Sequence, residues 1–383
     1  MKIAFVTDTH FGYRRFEQDA YKQGREAILA AAREADLLIL GGDNFDTSLP
    51  RMETIADVTM ILREALDIFH ARGISGVPIF AIHGNHDRRA KGYVHPTELL
   101  AQGGFLQNFH NRTLLFESNS ETVAVSGMGS VPEDMAVEGL KQIACKPVKG
   151  AFNVFVVHQS FQEFERIPHE EFITFDDLPS GYDLYLCGHV HKPSLSGKVI
   201  NPGSTVVTQL REDEAGKRGW LLYDTKMREP QFMPIDSRQL FVSTLKLENT
   251  KPEEIRNAVE SEAKKLQKEA GQEGALIRII VKGTLAAGFG ASDIRMPHLG
   301  ENVYVDNLMN SENLRERISQ IKLAREKKMS AHEQGMTILK KKLEGTGYSL
   351  GDPEKLFEEL VDGTALANIK EKIEKEDKEK AAN

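Results

Sequence analysis

Cysteine is almost missing from this chain: Cys145 and Cys187 are the only two among 383 residues. Their separation is not that of a metal site, and Cys187 falls inside the apolar run from Leu184 to Gly188, so a buried reduced thiol is the expected state. Long apolar runs are lacking too. No stretch approaches the roughly 20 residues that span a bilayer, and Met1 leads straight into the strand-like run Ile3 to Val6 rather than into a signal segment. A cytoplasmic location with no membrane partner is the expectation. Basic excess is also absent, because 49 Lys and Arg face 57 Asp and Glu for a net charge of −8. That balance speaks against a nucleic-acid partner held by side-chain charge alone. A pair of bound divalent cations would answer part of the deficit, since an ion is usually the largest local charge in its site.

What is present suits two or three folded units, with 40% hydrophobic residues over a length that exceeds one typical domain. Residues 1–236 alternate short β-rich apolar runs with amphipathic stretches, an α/β pattern. The runs are Ile3 to Val6, Leu37 to Leu40, Ile79 to Ile82, Val123 to Ser126, Val154 to Val157, Leu184 to Cys187 and Trp220 to Tyr223. Met52 to Arg72 carries apolar residues at helical spacing. Residues 237–310 read as a small α+β unit, with strands at Phe241 to Leu247, Leu276 to Val281 and Asn302 to Val305 and a helix at Pro252 to Glu269. Residues 311–383 are charged helical sequence in two stretches, Glu312 to Leu343 and Pro353 to Glu376, joined by a Gly-rich hinge.

The chemistry follows from where the strands stop, because ligands of open α/β sheets bind beyond the carboxyl ends of the strands. Asp8 and His10 follow the first run, and Gly41, Gly42 and Asp43 the second. Gly84, Asn85, His86 and Asp87 follow the third, His158 ends the Val154 run, and Gly188, His189 and His191 close the Leu184 run. Carboxylates, an amide and imidazoles without thiolate form a ligand inventory for Mn, Fe, Zn or a similar ion rather than Ca. Asp8 with His10, and His189 with His191, lie two apart, so in extended backbone each pair would point to one face. Glycines before Asp43, Asn85 and His189 allow a sharp turn off the strand and a close approach to an ion.

The series Asp8-x-His10, Gly42-Asp43, Gly84-Asn85-His86-Asp87, His158 and Gly188-His189-x-His191 resembles the calcineurin-like metallophosphoesterase superfamily. Within it, IAFVTDTHFGY, GGDNFDTS and VPIFAIHGNHDRR are similar to the DNA double-strand break repair nucleases of the meiotic recombination eleven or SbcD family, over about residues 1–310. The resemblance implies an α/β fold: a metallophosphoesterase β-sandwich flanked by helices, then a small capping and DNA-binding domain and C-terminal helices. It implies a nuclease, exo- and endonucleolytic, using two Mn2+ per chain on double- and single-stranded DNA ends. By motif, Asp8, His10 and His191 would hold one ion, Asn85, His158 and His189 the other, and Asp43 would bridge. His86 would act on the reaction, oriented by Asp87. One position departs from the family: Asp46 stands where the nucleases usually have His and where generic phosphoesterases often carry Asp.

Two substrate classes therefore stay open, DNA ends and small phosphate esters. Tyr13, Arg14, Arg15, Arg88, Arg89 and Lys91 flank the metal motifs and suit phosphate contacts, with solvated surface charge as the alternative. The resemblance further implies docking of the C-terminal helices on the coiled-coil base of an ATPase of the Rad-fifty or SbcC type. The stripe Leu356, Phe357, Leu360, Leu366 and Ile369 would supply the contact, with packing on the chain's own domain as the alternative. The resemblance also implies homodimerisation through the Met52 to Phe69 helix with Leu99, Leu100 and Phe105, with simple covering of the sheet as the alternative. A nucleoid-associated location completes the expectation.

Overall fold

The computed structural model describes residues 1–309, apart from 91, 119, 166–168, 272–273 and 287–288, together with 336, 339–340 and 353–361. Backbone contacts divide the chain into two compact units, Met1–Val242 with Gln272–Leu276, and Ser243–Gly271 with Ile277–Asn383.

The first unit holds two six-stranded mixed sheets. One runs in the order β12 (Glu229–Pro234), β11 (Gly219–Asp224), β1 (Lys2–Val6), β2 (Leu37–Leu40), β3 (Ile79–Ala81), β4 (Gln107–Asn108). Its β1 to β4 are parallel, and β11 and β12 close one edge antiparallel. The other runs β5 (Arg112–Ser118), β6 (Glu121–Met128), β7 (Phe152–His158), β8 (Leu184–Gly188), β10 (Val199–Asn201), β9 (Ser194–Ser196). Here β6, β7, β8 and β10 are parallel, with antiparallel strands at both edges.

Burial explains why the strands read as unbroken apolar runs rather than alternating ones. Along β1, Ile3 and Phe5 enter the core between the sheets with Val123, Val154 and Leu184. Ala4 and Val6 face the other way, against α1 (Glu17–Glu34) and α2 (Met52–Ala71), whose Ile28, Ala31, Ile61, Leu62 and Phe69 are buried with them. Both faces are thus covered, which demands apolar residues at every position. The outer face of the second sheet, through Phe155 and Val157, packs on Ala136 and Leu140 of α4 (Glu133–Gln142). The expected β-sandwich flanked by helices is what forms. Seven apolar runs fall on the strands they suggested, and α2 spans the periodic stretch. Two helices, α1 and α4, and the short edge strands carry no comparable apolar signal and emerge only in the fold.

The second unit contains β13 (Leu240–Thr250), β14 (Leu276–Leu285) and β15 (Val303–Met309) in one sheet, with β14 and β15 parallel. Its helix α5 (Pro252–Ala270) buries Ile255, Val259, Ala263 and Leu266, a three-to-four spacing that gives one apolar stripe. A further helix, α6 (Pro353–Val361), belongs to the same unit. No helix among the described residues is long and apolar enough to cross a membrane.

Candidate metal centre

Five strand ends meet at one edge of the sandwich. The loop after β1 is zipped to the loop after β2 by Asp8 N–H to Gly42 O and His10 N–H to Asp43 O, both 3.0 Å. The second sheet is tied across by His189 N–H donating to the Asp8 carboxylate at 3.1–3.2 Å and by the His158 ring bonding Gly41 O at 2.8 Å. Elements far apart in sequence therefore hold one another's functional residues.

The backbone conformation differs from the extended one that the two-residue spacing suggests. Asp8, His10, Asp43 and His189 all lie at positive φ, at 54°, 46°, 46° and 87°. The side chains converge because the chain coils left-handed just past each strand end. Four non-glycine residues in a sparsely populated region within one cluster is the pattern of a site whose strain the surrounding hydrogen bonds sustain. The glycines act in two ways. Gly42 has φ of 100°, open to glycine at no cost, whereas Gly84 has an ordinary φ but no room, since a Cβ there would run into the Asp43 carboxylate.

The converging atoms form two groups of three, linked by a third that takes His10 from one and Asp43 from the other. Asp8, His10 and His191 offer donor atoms within 4.8 Å of one another, and so do Asp43, His158 and His189. Asn85 Oδ1 completes the second, 3.2 Å from His158 Nε2 and 2.7 Å from His189 Nδ1. A third group, His10, Asp43 and His86, brings His86 to the junction. The floor of Asp8, His10, Asp43 and His158 is buried, while Asn85 and His86 are exposed at the mouth.

The donor set fits cations on an observation internal to the site. His10 Nε2 and His191 Nε2 face each other at 3.1 Å. The opposite nitrogen of His10 meets the Asp46 carboxylate at 3.2 Å, and that of His191 meets Glu214 Oε1 at 3.3 Å and Thr208 Oγ1 at 2.8 Å. A carboxylate accepts only, so each Nδ1 carries a proton toward its acid and the two Nε2 atoms are brought together at one point. A cation between them resolves the conflict. In the second group a proton does the same: burial opposes charge on His158, but Asp43 and Asp8 outweigh it and push its pKa up to about 10. Asp43, despite its own burial, is held far below the usual carboxylate range by His158 and His10. Burial and the neighbouring His158 push His189 down to about 4.

His86 is oriented by a different residue from the one expected. Asp87 is wholly buried, and its carboxylate accepts from Gly84 N–H at 2.5 Å, Asn44 N–H at 3.1 Å and Thr97 Oγ1 at 3.2 Å, shaping the loop rather than touching the His86 ring. Burial lifts its pKa to about 6. Instead His86 Nδ1 bonds Asp46 O at 3.0 Å and lies 3.4 Å from Asp46 Oδ1. The hydrogen bond that His86 donates to Asp46, against some desolvation, pushes His86 up to about 9.

Among the flanking residues, Tyr13 donates its hydroxyl to Thr208 O at 2.6 Å and so braces the wall of the centre, and Arg14 and Arg15 are exposed beside it. Arg89 lies over the Tyr93 ring and reaches Val94 O, Arg88 is half-buried, and Lys91 lies outside the described residues. Sequence reasoning missed Asp46 as the partner of His10 and His86, and Glu214 and Thr208 as partners of His191. Glu214 sits in the charged stretch Arg211 to Arg218, which reads as solvated surface, yet it is buried.

An oxygen- and imidazole-rich, thiol-free centre at the shared carboxyl edge of two sheets defines a metal-dependent hydrolase of the phosphoesterase class. The chain belongs to the calcineurin-like phosphoesterase family, whose model matches residues 1–193, a family that binds divalent metal. It is similar to the double-strand break repair protein mre-11 of Caenorhabditis elegans, 28% identical over 61% of this chain and 40% of that one. The DNA double-strand break repair protein Mre11 of Methanopyrus kandleri is 28% identical over 75% of this chain and 66% of that one. The human double-strand break repair protein MRE11 is 26% identical over 65% and 43%. The chain thus spans between 40 and 66% of the length of these relatives.

Proposed function

We propose that this chain is a two-metal phosphodiesterase acting on DNA ends: a Mn-dependent exo- and endonuclease working with a coiled-coil ATPase in double-strand break repair. The observation that carries the reaction class is the pair of donor groups, Asp8 with His10 and His191 and Asp43 with His158 and His189, linked by a third group of His10, Asp43 and the exposed His86. The relatives named above are repair proteins, and they support the substrate. In this reading Asp8, His10 and His191 hold one ion, Asn85, His158 and His189 the other, and Asp43 touches both. A pair of divalent ions bound there supplies an acidified water and charge neutralisation for a phosphoryl group. The chain's own residues supply the rest. Asp46 holds the His86 ring through Nδ1 at the exposed mouth of the site. In the chain alone that ring is an imidazolium at neutral pH, so it can donate a hydrogen bond or a proton to a leaving oxygen, a contribution of roughly 100- to 10,000-fold. Arg14, Arg15, Arg88 and Arg89 would meet flanking phosphates and position the strand.

Asp46 favours a second reading, a stand-alone phosphodiesterase or phosphatase for small esters, because it fills the mouth with a carboxylate where the nuclease family presents an imidazole. One assay separates them: linear and circular DNA with Mn2+, set against a chromogenic phosphodiester. Degradation of linear DNA at rates well above those for the small ester is expected. Hydrolysis of the ester with both DNA forms left intact would reject the nuclease reading and keep the reaction class.

A further inference from the structure

The imidazoles of the centre are backed unequally. In the half formed by Asp8, His10 and His191, each ring has its far nitrogen on a carboxylate: Asp46 for His10 and Glu214 for His191. In the half formed by Asn85, His158 and His189, the far nitrogen of His158 meets the neutral carbonyl of Gly41 at 2.8 Å. The far nitrogen of His189 faces Glu133 Oε1 only at 4.0 Å, beyond a hydrogen bond.

Glu214 is also the better built of the two backing acids. It is 2% exposed, and its oxygens accept from Thr208 N–H at 2.9 Å and Gln209 N–H at 3.1 Å. The equally buried Arg218 reaches its Oε2 at 3.2 Å and ties the same loop to His191 O and Ser204 Oγ at 2.9 Å. A buried acid compensated by one arginine and two amides has no freedom to turn away, so it fixes the ring that it faces. A carboxylate behind a ligating imidazole fixes the ring's tautomer and its aim and adds negative charge behind the bond. A backbone carbonyl fixes the tautomer but adds no net charge.

We infer that the two halves of the centre are unequal cation sites, with Glu214 and Asp46 as positioning residues that make the Asp8, His10 and His191 half the tighter one. This rests on the reading of the site as a two-ion centre.

The test is a Mn2+ titration of the metal-free full chain, followed by calorimetry and by the paramagnetic resonance of free Mn2+. Wild type should take up two ions in separate steps. His191→Ala should remove the tight step and Asn85→Ala the weak one. Glu214→Gln should weaken the tight step by about 10- to 100-fold and leave the weak one in place. Because Glu214→Gln strands Arg218 and can impair folding, Asp46→Ala provides an independent check from the solvent side and should weaken the same step. Two ions that bind equally, a tight step that survives both substitutions, or a loss of the weak step instead would overturn the assignment while leaving the two-ion reading intact. Uptake of fewer than two ions by wild type would overturn that reading as well.

Discussion

Asp43 joins one donor group with His158 and His189 and another with His10 and His86, and its charge is what the buried His158 imidazolium answers in the chain alone. In the proposed two-ion centre its removal would leave like-charged ions with no shared anion between them, so Asp43→Ala should lose bound metal and hydrolysis together; elemental analysis of the variant beside a turnover assay decides it. His86 is exposed at the mouth beside His10 and Asp43; if it acts on the reaction without ligating an ion, His86→Ser should keep both ions while turnover falls by about two to four decades. Loss of an ion from that variant would make His86 a ligand. A proton count provides a third test. With His158 raised to about 10, metal entering at pH 7 to 8 must displace its proton, so Mn2+ binding should release protons and tighten as pH rises. Calorimetry in buffers of different ionisation enthalpy reads that release directly, and an uptake independent of buffer contradicts it. The Asp46 and His86 pair has the opposite sign of stability effect to a depressed acid. A folded pKa raised to about 9 contributes stability that is fully present below about 6.5 and is lost as pH rises through 9. Asp46→Ala should bring the His86 titration, followed by NMR of the metal-free chain, back toward its ordinary value.

At the scale of the element, the strands end where their apolar runs end, and the loops beyond them carry the function. These loops are over-determined: each left-handed residue is fixed by at least one hydrogen bond to a loop from another strand, as Asp8 is to Gly42 and Thr205. Gly42 shows how little slack remains. A Cβ at Gly42 would sit 2.5 Å from His158 Nδ1 in addition to the positive φ of 100°. Gly42→Ala should therefore destabilise the first unit by more than the roughly 1–3 kcal/mol of a strained φ alone, and should displace His158 from Gly41 O. A denaturant midpoint and the Mn2+ stoichiometry measure the two effects separately. A variant with both unchanged would mean that the loop is softer than its hydrogen bonds imply.

At the scale of the whole molecule, the C-terminal partner surface changes from what the sequence suggests. Leu356, the first residue of the stripe, is buried within the chain, and Phe357 is half-buried, so these two are not free for a partner. The side chain of Leu360, and Leu366 and Ile369, lie outside the described residues. If the C-terminal stripe docks on an ATPase, its later residues would have to carry the contact. Leu356→Ala should cost about 2–5 kcal/mol of stability in the isolated chain, as for a core leucine, seen as a lowered melting temperature. Leu360→Glu with Ile369→Glu should leave small-ester hydrolysis intact and weaken binding to the coiled-coil base by placing charge at an apolar contact. Pull-down against that base is the readout, and undiminished capture excludes the docking role.

Periodicity and composition were enough to place most strands, α2, the α/β class and the motif residues, because a doubly covered sheet requires continuous apolar runs and the polar residues that end them stand out. The edge strands are polar on their exposed side, and α1 and α4 bury small residues such as Ala27, Ala31 and Ala136, so neither produces a contrast that a sequence displays. Only the tertiary structure decided which carboxylate backs which imidazole. Asp87 adjoins His86 in sequence yet turns into the core, while Asp46, 40 residues away, reaches the ring, and Glu214 reaches His191 from a charged loop. Chain neighbours determine what a residue is next to along the backbone. Side-chain partners across a site are set by how two sheets and their left-handed loops close on each other, and that information lies in long-range packing, beyond any local pattern.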